Sequence, residues 1–227
     1  GADMTTIHLQ DPRLDPTYFD MVIVPHHDRA RGDNVIVTKA ALNRINESYI
    51  AASADSVPQD WSKTASPRVA VLIGGDNRRY KISNDMAMQM GEQLTAFAAA
   101  NDAHLFLVPS RRCPDLVLHQ LTSALPSKNC YFATNDQPNP YPGLLAMADA
   151  VIVTSDSVNM ASEAASTGKP VLIAYWRAET GRIAEFHNIM QADKHTAPLT
   201  KMLAAEPFVP LDESDMVRQQ VSARLTN

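Results

Sequence analysis

The sequence predicts a doubly wound α/β fold on a parallel sheet, preceded by a small, incomplete N-terminal α/β portion. Three observations carry this expectation. After residue 66 come five apolar runs, nearly continuous in Val, Ile, Leu and Ala, as strands covered on both faces require. Segments of helical periodicity alternate with them, and such alternation packs as a parallel sheet with right-handed crossovers. A polar, proline-punctuated stretch from Ala52 to Pro67 reads as a linker that separates this regular part from the front.

In the front, Met21 to Val24 and Val35 to Thr38 read as short strands, and a modest helix is expected from Ala41 to Ala51. Further strands are expected at Arg68 to Ile73, His104 to Val108, Asn129 to Ala133, Ala150 to Thr154 and Pro170 to Ala174. The helix Ser83 to Ala100 carries Met86, Met90, Leu94 and Phe97 on one face. The next, Asp115 to Leu125, aligns Leu118, Leu121 and Leu125 behind Pro114, expected at the first helical position. Tyr141 to Ala148 and Val158 to Thr167 complete the series. In the tail, Val217, Val221 and Leu225 recur at four-residue spacing, so an amphipathic helix within Asp212 to Leu225 should pack back on the body. The expected organisation is a front portion at 1–60, a Rossmann-like domain at 66–200 and a C-terminal helix at 205–227.

With 227 residues, 45% of them hydrophobic, the chain can bury a sizeable core. A formal charge of −5 argues against general nucleic-acid binding, which needs a net basic face. No apolar run approaches the roughly 20 residues that cross a bilayer, so no membrane span is expected, while peripheral contact stays open. The first residues show neither a basic nor an apolar signal-peptide region. Cys113 and Cys130 suit reduced thiols, which points to the cytoplasm. No resident cofactor or metal is expected.

Ligands of doubly wound sheets bind beyond the carboxyl ends of the strands, where three loops are loaded with polar groups. The first holds Gly74, Gly75, Asn77, Arg78 and Arg79; the second Ser110, Arg111 and Arg112; the third Ser155, Asp156 and Ser157. Any one of the four arginines is more often solvated than not, but the set reads as an anion site in an acidic chain. Gly74 and Gly75 allow either close approach to a ligand or merely a tight turn. A G-x-G-x-x-G pattern, a Walker lysine and a G-x-S-x-G elbow are all missing, which disfavours dinucleotide dehydrogenases, P-loop enzymes and α/β-hydrolases.

Ser157 suits a helix N-cap, and a helix start at a strand end commonly holds phosphate, so Ser155, Ser157 and Met160 are ligand-binding candidates. Glu163 lies too far on for a capping box and reads either as a ribose contact or as a solvated carboxylate. Asp156 would repel a diphosphate unless it turns away or meets an arginine. Tyr141 could stack on a base, though packing is the commoner fate. His27 and Asp28 follow an early strand and are the acid–base candidates; as metal ligands they lack a partner cluster. Arg182 and His187 fall on a helix after the fifth strand, expected to be an ordinary surface helix.

Taken together, Leu9-Gln-Asp-Pro-Arg13, Phe19-Asp20, His27-Asp28, Asn34-Val35, Ile73-Gly-Gly-Asp-Asn77, Ser110-Arg-Arg112, Asn139-Pro-Tyr141, Asp156 to Ala164 and Thr167-Gly-Lys-Pro170 resemble the mitochondrial-fission protein family. The resemblance runs from about Leu9 to His187. Plant members of that family act in mitochondrial division, and bacterial members are often labelled nucleoside-diphosphate-sugar epimerases. The third loop is also similar to the donor-binding half of GT-B glycosyltransferases. That likeness implies a C-terminal-type GT-B domain with Ser157 at the donor diphosphate and Glu163 at the ribose. The function it implies is binding of a small-molecule nucleotide sugar, UDP-linked or other, by a glycosyltransferase homologue. The alternatives are an epimerase that uses His27, Asp28 and His187, or a non-enzymatic adaptor with an apolar patch on its C-terminal helix.

Overall fold

The computed structural model describes residues 4–65, 67–126, 128–133, 139–203 and 208–225. The front sheet consists of β1 (Ile7–Leu9), β2 (Met21–Pro25) and β3 (Val35–Thr38), all parallel, with β2 in the middle. The sequence reading missed β1, because three residues with two of them exposed leave no apolar run. Val22, Val24 and Val35 pack on one side of this sheet and Ile23 and Ile36 on the other.

Two short helices follow, α1 (Glu47–Ser53) and α2 (Gln59–Ser62). The helix starts at Glu47 rather than Ala41 because Asn43 and Asn46 turn their side-chain oxygens onto the Ile45 and Tyr49 amides. Such local bonds hold the backbone out of a helix until the cap is made. The stretch read as a linker is also part of the fold. Trp61 is buried, with its ring centroid 5.2 Å from Phe106 and 6.2 Å from Tyr131.

The second sheet has β4 (Arg68–Ile73), β5 (His104–Pro109), β6 (Cys130–Phe132), β7 (Ala150–Thr154), β8 (Val171–Ala174) and β9 (Ala197–Pro198). All its strands are parallel, in the order β6-β5-β4-β7-β8-β9. This is a doubly wound Rossmann-like arrangement with β4 and β7 side by side at the switch point. The intervening helices are α3 (Asn84–Asn101), α4 (Asp115–Ala124), α5 (Tyr141–Met147), α6 (Val158–Ala165) and α7 (Gly181–Ala192). Alternation along β4 divides the core. Val69, Val71 and Ile73 join Met90, Leu94, Val117 and Leu121 of α3 and α4. Ala70 and Leu72 join Leu144, Ala161, Ala164, Phe186 and Met190 of α5, α6 and α7. Pro114 occupies the N-cap of α4, one position before the expected one. At Gly143 in α5, a Cβ would come 2.5 Å from the Ser56 hydroxyl and 2.6 Å from the Ser53 carbonyl, so only glycine lets this segment close on the domain.

The final helix, α8 (Ser214–Leu225), returns to the front sheet. Val217 packs on Ile23 and Ile36, flanked by Met216 and Val221, whereas Leu225 stays exposed. Just before it, the Glu213 carboxylate accepts the amides of Lys39 and Ala40 at 2.7 and 3.1 Å. Among the described residues, no helix is long and apolar enough to cross a membrane.

Candidate functional site

The carboxyl ends of β4, β7 and β8 meet at Asp156, which is buried directly after β7. Its Oδ1 accepts the Thr154 hydroxyl at 2.7 Å and the Trp176 indole N–H at 3.0 Å, and its Oδ2 accepts the Gly75 amide at 2.9 Å. Arg112 stands 3.9 Å from the same oxygen. Asp156 therefore turns inward, with its charge balanced by a full set of donors, as a buried carboxylate requires.

Gly74 and Gly75 serve this junction. The Gly74 amide donates to Thr154 Oγ1 at 2.7 Å. A Cβ on Gly74 would fall within 3.0 Å of both Asp156 oxygens, and one on Gly75 within 3.0 Å of the Arg112 backbone. The Arg112 carbonyl also accepts the Asp76 amide at 3.1 Å, which ties the first two loops together. Asn77 shapes the first loop by accepting the Arg79 and Tyr80 amides, while its buried Nδ2 finds no partner among the described residues.

A residue the sequence reading missed, Glu179, organises the opposite side. It accepts the Tyr80 phenol at 3.0 Å and the Ser155 hydroxyl at 2.9 Å, and it pairs with Arg79. Burial, and then the neighbouring Glu179 charge, push the Tyr80 phenol well above its usual pKa, so it remains a donor. Arg177 stacks 4.1 Å over the Tyr80 ring.

His187 also departs from expectation, since it is buried rather than on a surface helix. Its Nε2 lies 2.8 Å from the Ser155 carbonyl, and desolvation holds its pKa below the usual range. The neutral ring donates through Nε2 to that carbonyl, leaving Nδ1 without a partner among the described residues. Ser155 is thus held at its carbonyl by His187 and at its hydroxyl by Glu179.

Ser157 caps α6, its hydroxyl accepting the Met160 amide at 3.4 Å. The amides of Val158 and Asn159 have no protein acceptor among the described residues. They are the free donors of the helix end, where the dipole is positive. Further along α6, the Glu163 carboxylate accepts the Tyr141 phenol through Oε2. Burial first, and then the Glu163 charge, raise the phenol pKa, so Tyr141 stays protonated against the carboxylate. Lys169 donates to the Leu145 and Ala146 carbonyls at 2.6 Å each, capping α5, and burial draws its pKa down to about 8.

The remaining candidates are spread more widely. Ser110 stands at the foot of the second loop and its hydroxyl accepts the Arg112 amide; Arg111 is exposed beside it. Arg78 lines a separate cleft with Asp28 and Arg182. Asp28 stands 3.4 Å from Arg182 and 3.9 Å from His27 Nε2. His27 packs edge-on against Phe186 at 5.5 Å, and desolvation lowers its pKa. Among the described residues, no group of three or more His, Cys, Asp or Glu could hold a metal ion.

The sequence profile of the family described as "Mitochondrial fission ELM1" matches residues 1–225. Mitochondrial fission protein ELM1 of Arabidopsis thaliana is 29% identical over 256 residues, covering 99% of this chain and 60% of that protein. Uncharacterized protein RP120 of Rickettsia prowazekii (strain Madrid E) is 32% identical over 152 residues, 66% of this chain and 42% of that one. The chain therefore spans about three fifths of one curated relative and two fifths of the other. Among solved structures, the UDP-GlcNAc 2-epimerase from Neisseria meningitidis bound to UDP-GlcNAc superposes with a TM-score of 0.52. It is 17% identical and covers 95% of this chain and 64% of that one, a likeness of fold, and that fold is GT-B-like. With its profile matched over nearly the whole length, the chain belongs to the mitochondrial fission ELM1 family.

Proposed function

We propose that the switch point between β4 and β7 holds the diphosphate of a nucleotide sugar, and that the chain serves as the donor-binding part of a GT-B-like glycosyltransferase. The observation that carries this reading is the α6 N-terminus, with the Val158 and Asn159 amides unclaimed beside the Ser157 cap. Asp156 does not oppose an anion there, because its charge is turned inward and matched. Arg112, 3.9 Å from Asp156, supplies a cation near the helix end, so the leaving diphosphate can be stabilised without a metal. Tyr141 fixes one Glu163 oxygen and leaves the other to accept a ribose hydroxyl.

In a transfer step an acceptor hydroxyl attacks the anomeric carbon, and the nucleoside diphosphate leaves along the α6 axis. His27 suits the role of base, since a neutral imidazole can take the proton, with Asp28 beside it. An epimerase would use the same donor site. His187 is already committed to the Ser155 carbonyl, which leaves that reading only His27 and Asp28.

Calorimetry with UDP, UDP-sugars and GDP-sugars tests the proposal. Binding is expected, weakened about tenfold or more by Glu163→Ala. No heat above background with any nucleotide ends it. Product analysis with UDP-N-acetylhexosamines separates epimerase from transferase.

A further inference from the structure

We infer that the cleft between the front sheet and the switch-point loops is a second anion site, which takes a phosphate group carried by the acceptor. The acceptor assignment rests on the transferase reading above; the anion site does not. Gln10, Asp11 and Arg13 follow β1, and Asp28 and Arg29 follow β2, so both loops leave the carboxyl edge of the front sheet. Arg78 comes from the loop after β4, and Arg182 from the first turn of α7. Together these residues line a cleft of about 540 Å³, the size of a small-molecule pocket and larger than a bare phosphate needs.

The charges there do not cancel. Asp28 is engaged by Arg182 at 3.4 Å, and Asp11 accepts the Arg13 amide at 2.8 Å. Arg13, Arg29 and Arg78 have no carboxylate partner among the described residues. Four guanidiniums against two carboxylates leave the cleft cationic in a chain of net charge −5. Guanidinium forks match phosphate oxygens two at a time, and the α7 N-terminus adds the positive end of its dipole.

The loop after β1 is also held in an unusual backbone conformation. Gln10 and Arg13 adopt φ of 77° and 55°, the left-handed region that non-glycine residues rarely occupy. Strain of this kind in a short loop collects at ligand-holding positions. The neighbouring arginines of the β4 loop also divide their duties. Arg79 is drawn to Glu179 and so to the Ser155 turn, whereas Arg78 lines the cleft. The donor turn and the cleft are thus adjacent and separately furnished, as two substrates of one transfer would need.

The test is a calorimetric titration of the full chain with inorganic pyrophosphate at low salt, with and without excess UDP. Pyrophosphate should bind in both conditions. With UDP in excess, Arg13→Gln combined with Arg29→Gln should weaken it about tenfold or more, while Lys63→Gln, at an exposed position outside both sites, leaves it unchanged. Arg29→Gln alone, at an exposed position, should give part of the loss with an unaltered unfolding midpoint. Absence of pyrophosphate binding under excess UDP, or binding there that the double variant does not diminish, overturns the inference. If pyrophosphate binds and UDP does not, the donor reading fails and the anion site stands. Glucose 6-phosphate and phosphatidylcholine vesicles carrying phosphatidic acid then distinguish a soluble phosphate source from a lipid one.

Discussion

Gly74 and Asp156 share one volume: a Cβ on the glycine would approach both carboxylate oxygens to under 3.0 Å. The oxygens cannot retreat, since they hold Thr154, Trp176 and the Gly75 amide. Gly74→Ala should therefore cost about 3 kcal/mol in urea unfolding, at the upper end for overpacking of a filled core. Gly181→Ala is the reference. That residue has φ of 60° and no atom within 4 Å of a built Cβ, so it should lose only about 1 kcal/mol. Equal losses would contradict the packing account.

His187 makes stability depend on pH in a fixed direction. Its pKa is lowered in the fold by desolvation, so below about 6.5 the unfolded chain binds the proton more readily than the folded one. Stability should fall as the pH drops from 6.5 towards 5. His27, also lowered chiefly by desolvation, adds to the same slope. In His187→Gln the urea midpoint should vary less over that range; an identical slope would remove His187 as a source.

Trp61 tests whether the proline-punctuated stretch belongs to the core. Trp61→Ala should destabilise by about 3–5 kcal/mol, as for other buried aromatic truncations. A loss below about 1 kcal/mol would mean that the segment is an independent tether.

Glu163 and Tyr141 make a prediction about ribose. UDP should bind roughly tenfold more tightly than its 2′-deoxy analogue, and Glu163→Ala should erase the difference. Tyr141→Phe should reduce it while lowering stability by about 1 kcal/mol, since loss of the phenol hydroxyl leaves Glu163 Oε2 without its donor. Calorimetry with the two nucleotides decides the matter.

The five main strands were legible because parallel strands buried on both faces are nearly continuous apolar runs, as Val69 to Ile73 of β4 and Ala150 to Val153 of β7 are. β9 was not, for its two residues carry no pattern. The loops around Gly74, Arg112 and Ser157 could be placed at one edge from the alternation of elements alone. What those side chains do there could not. Glu179 meets Tyr80 and Ser155 across 99 and 24 residues, and nothing in Arg177-Ala-Glu-Thr180 marks it locally. The two glycines looked open to a ligand, yet their amides face Thr154 and Asp156, a pairing set by sheet order rather than by neighbouring residues.

The return of α8 to the front sheet has a consequence in time. Glu213 supplies acceptors for the end of β3 only after 174 further residues, and Val217 covers Ile23 and Ile36 later still. Contacts so distant form slowly, and during synthesis they cannot form until the tail has emerged. The Rossmann-like part can therefore finish its core first, while Ile23 and Ile36 wait uncovered. The front sheet is made before the Rossmann-like part yet completed after it, and the uncovered Ile23 and Ile36 are where misassembly finds its opening.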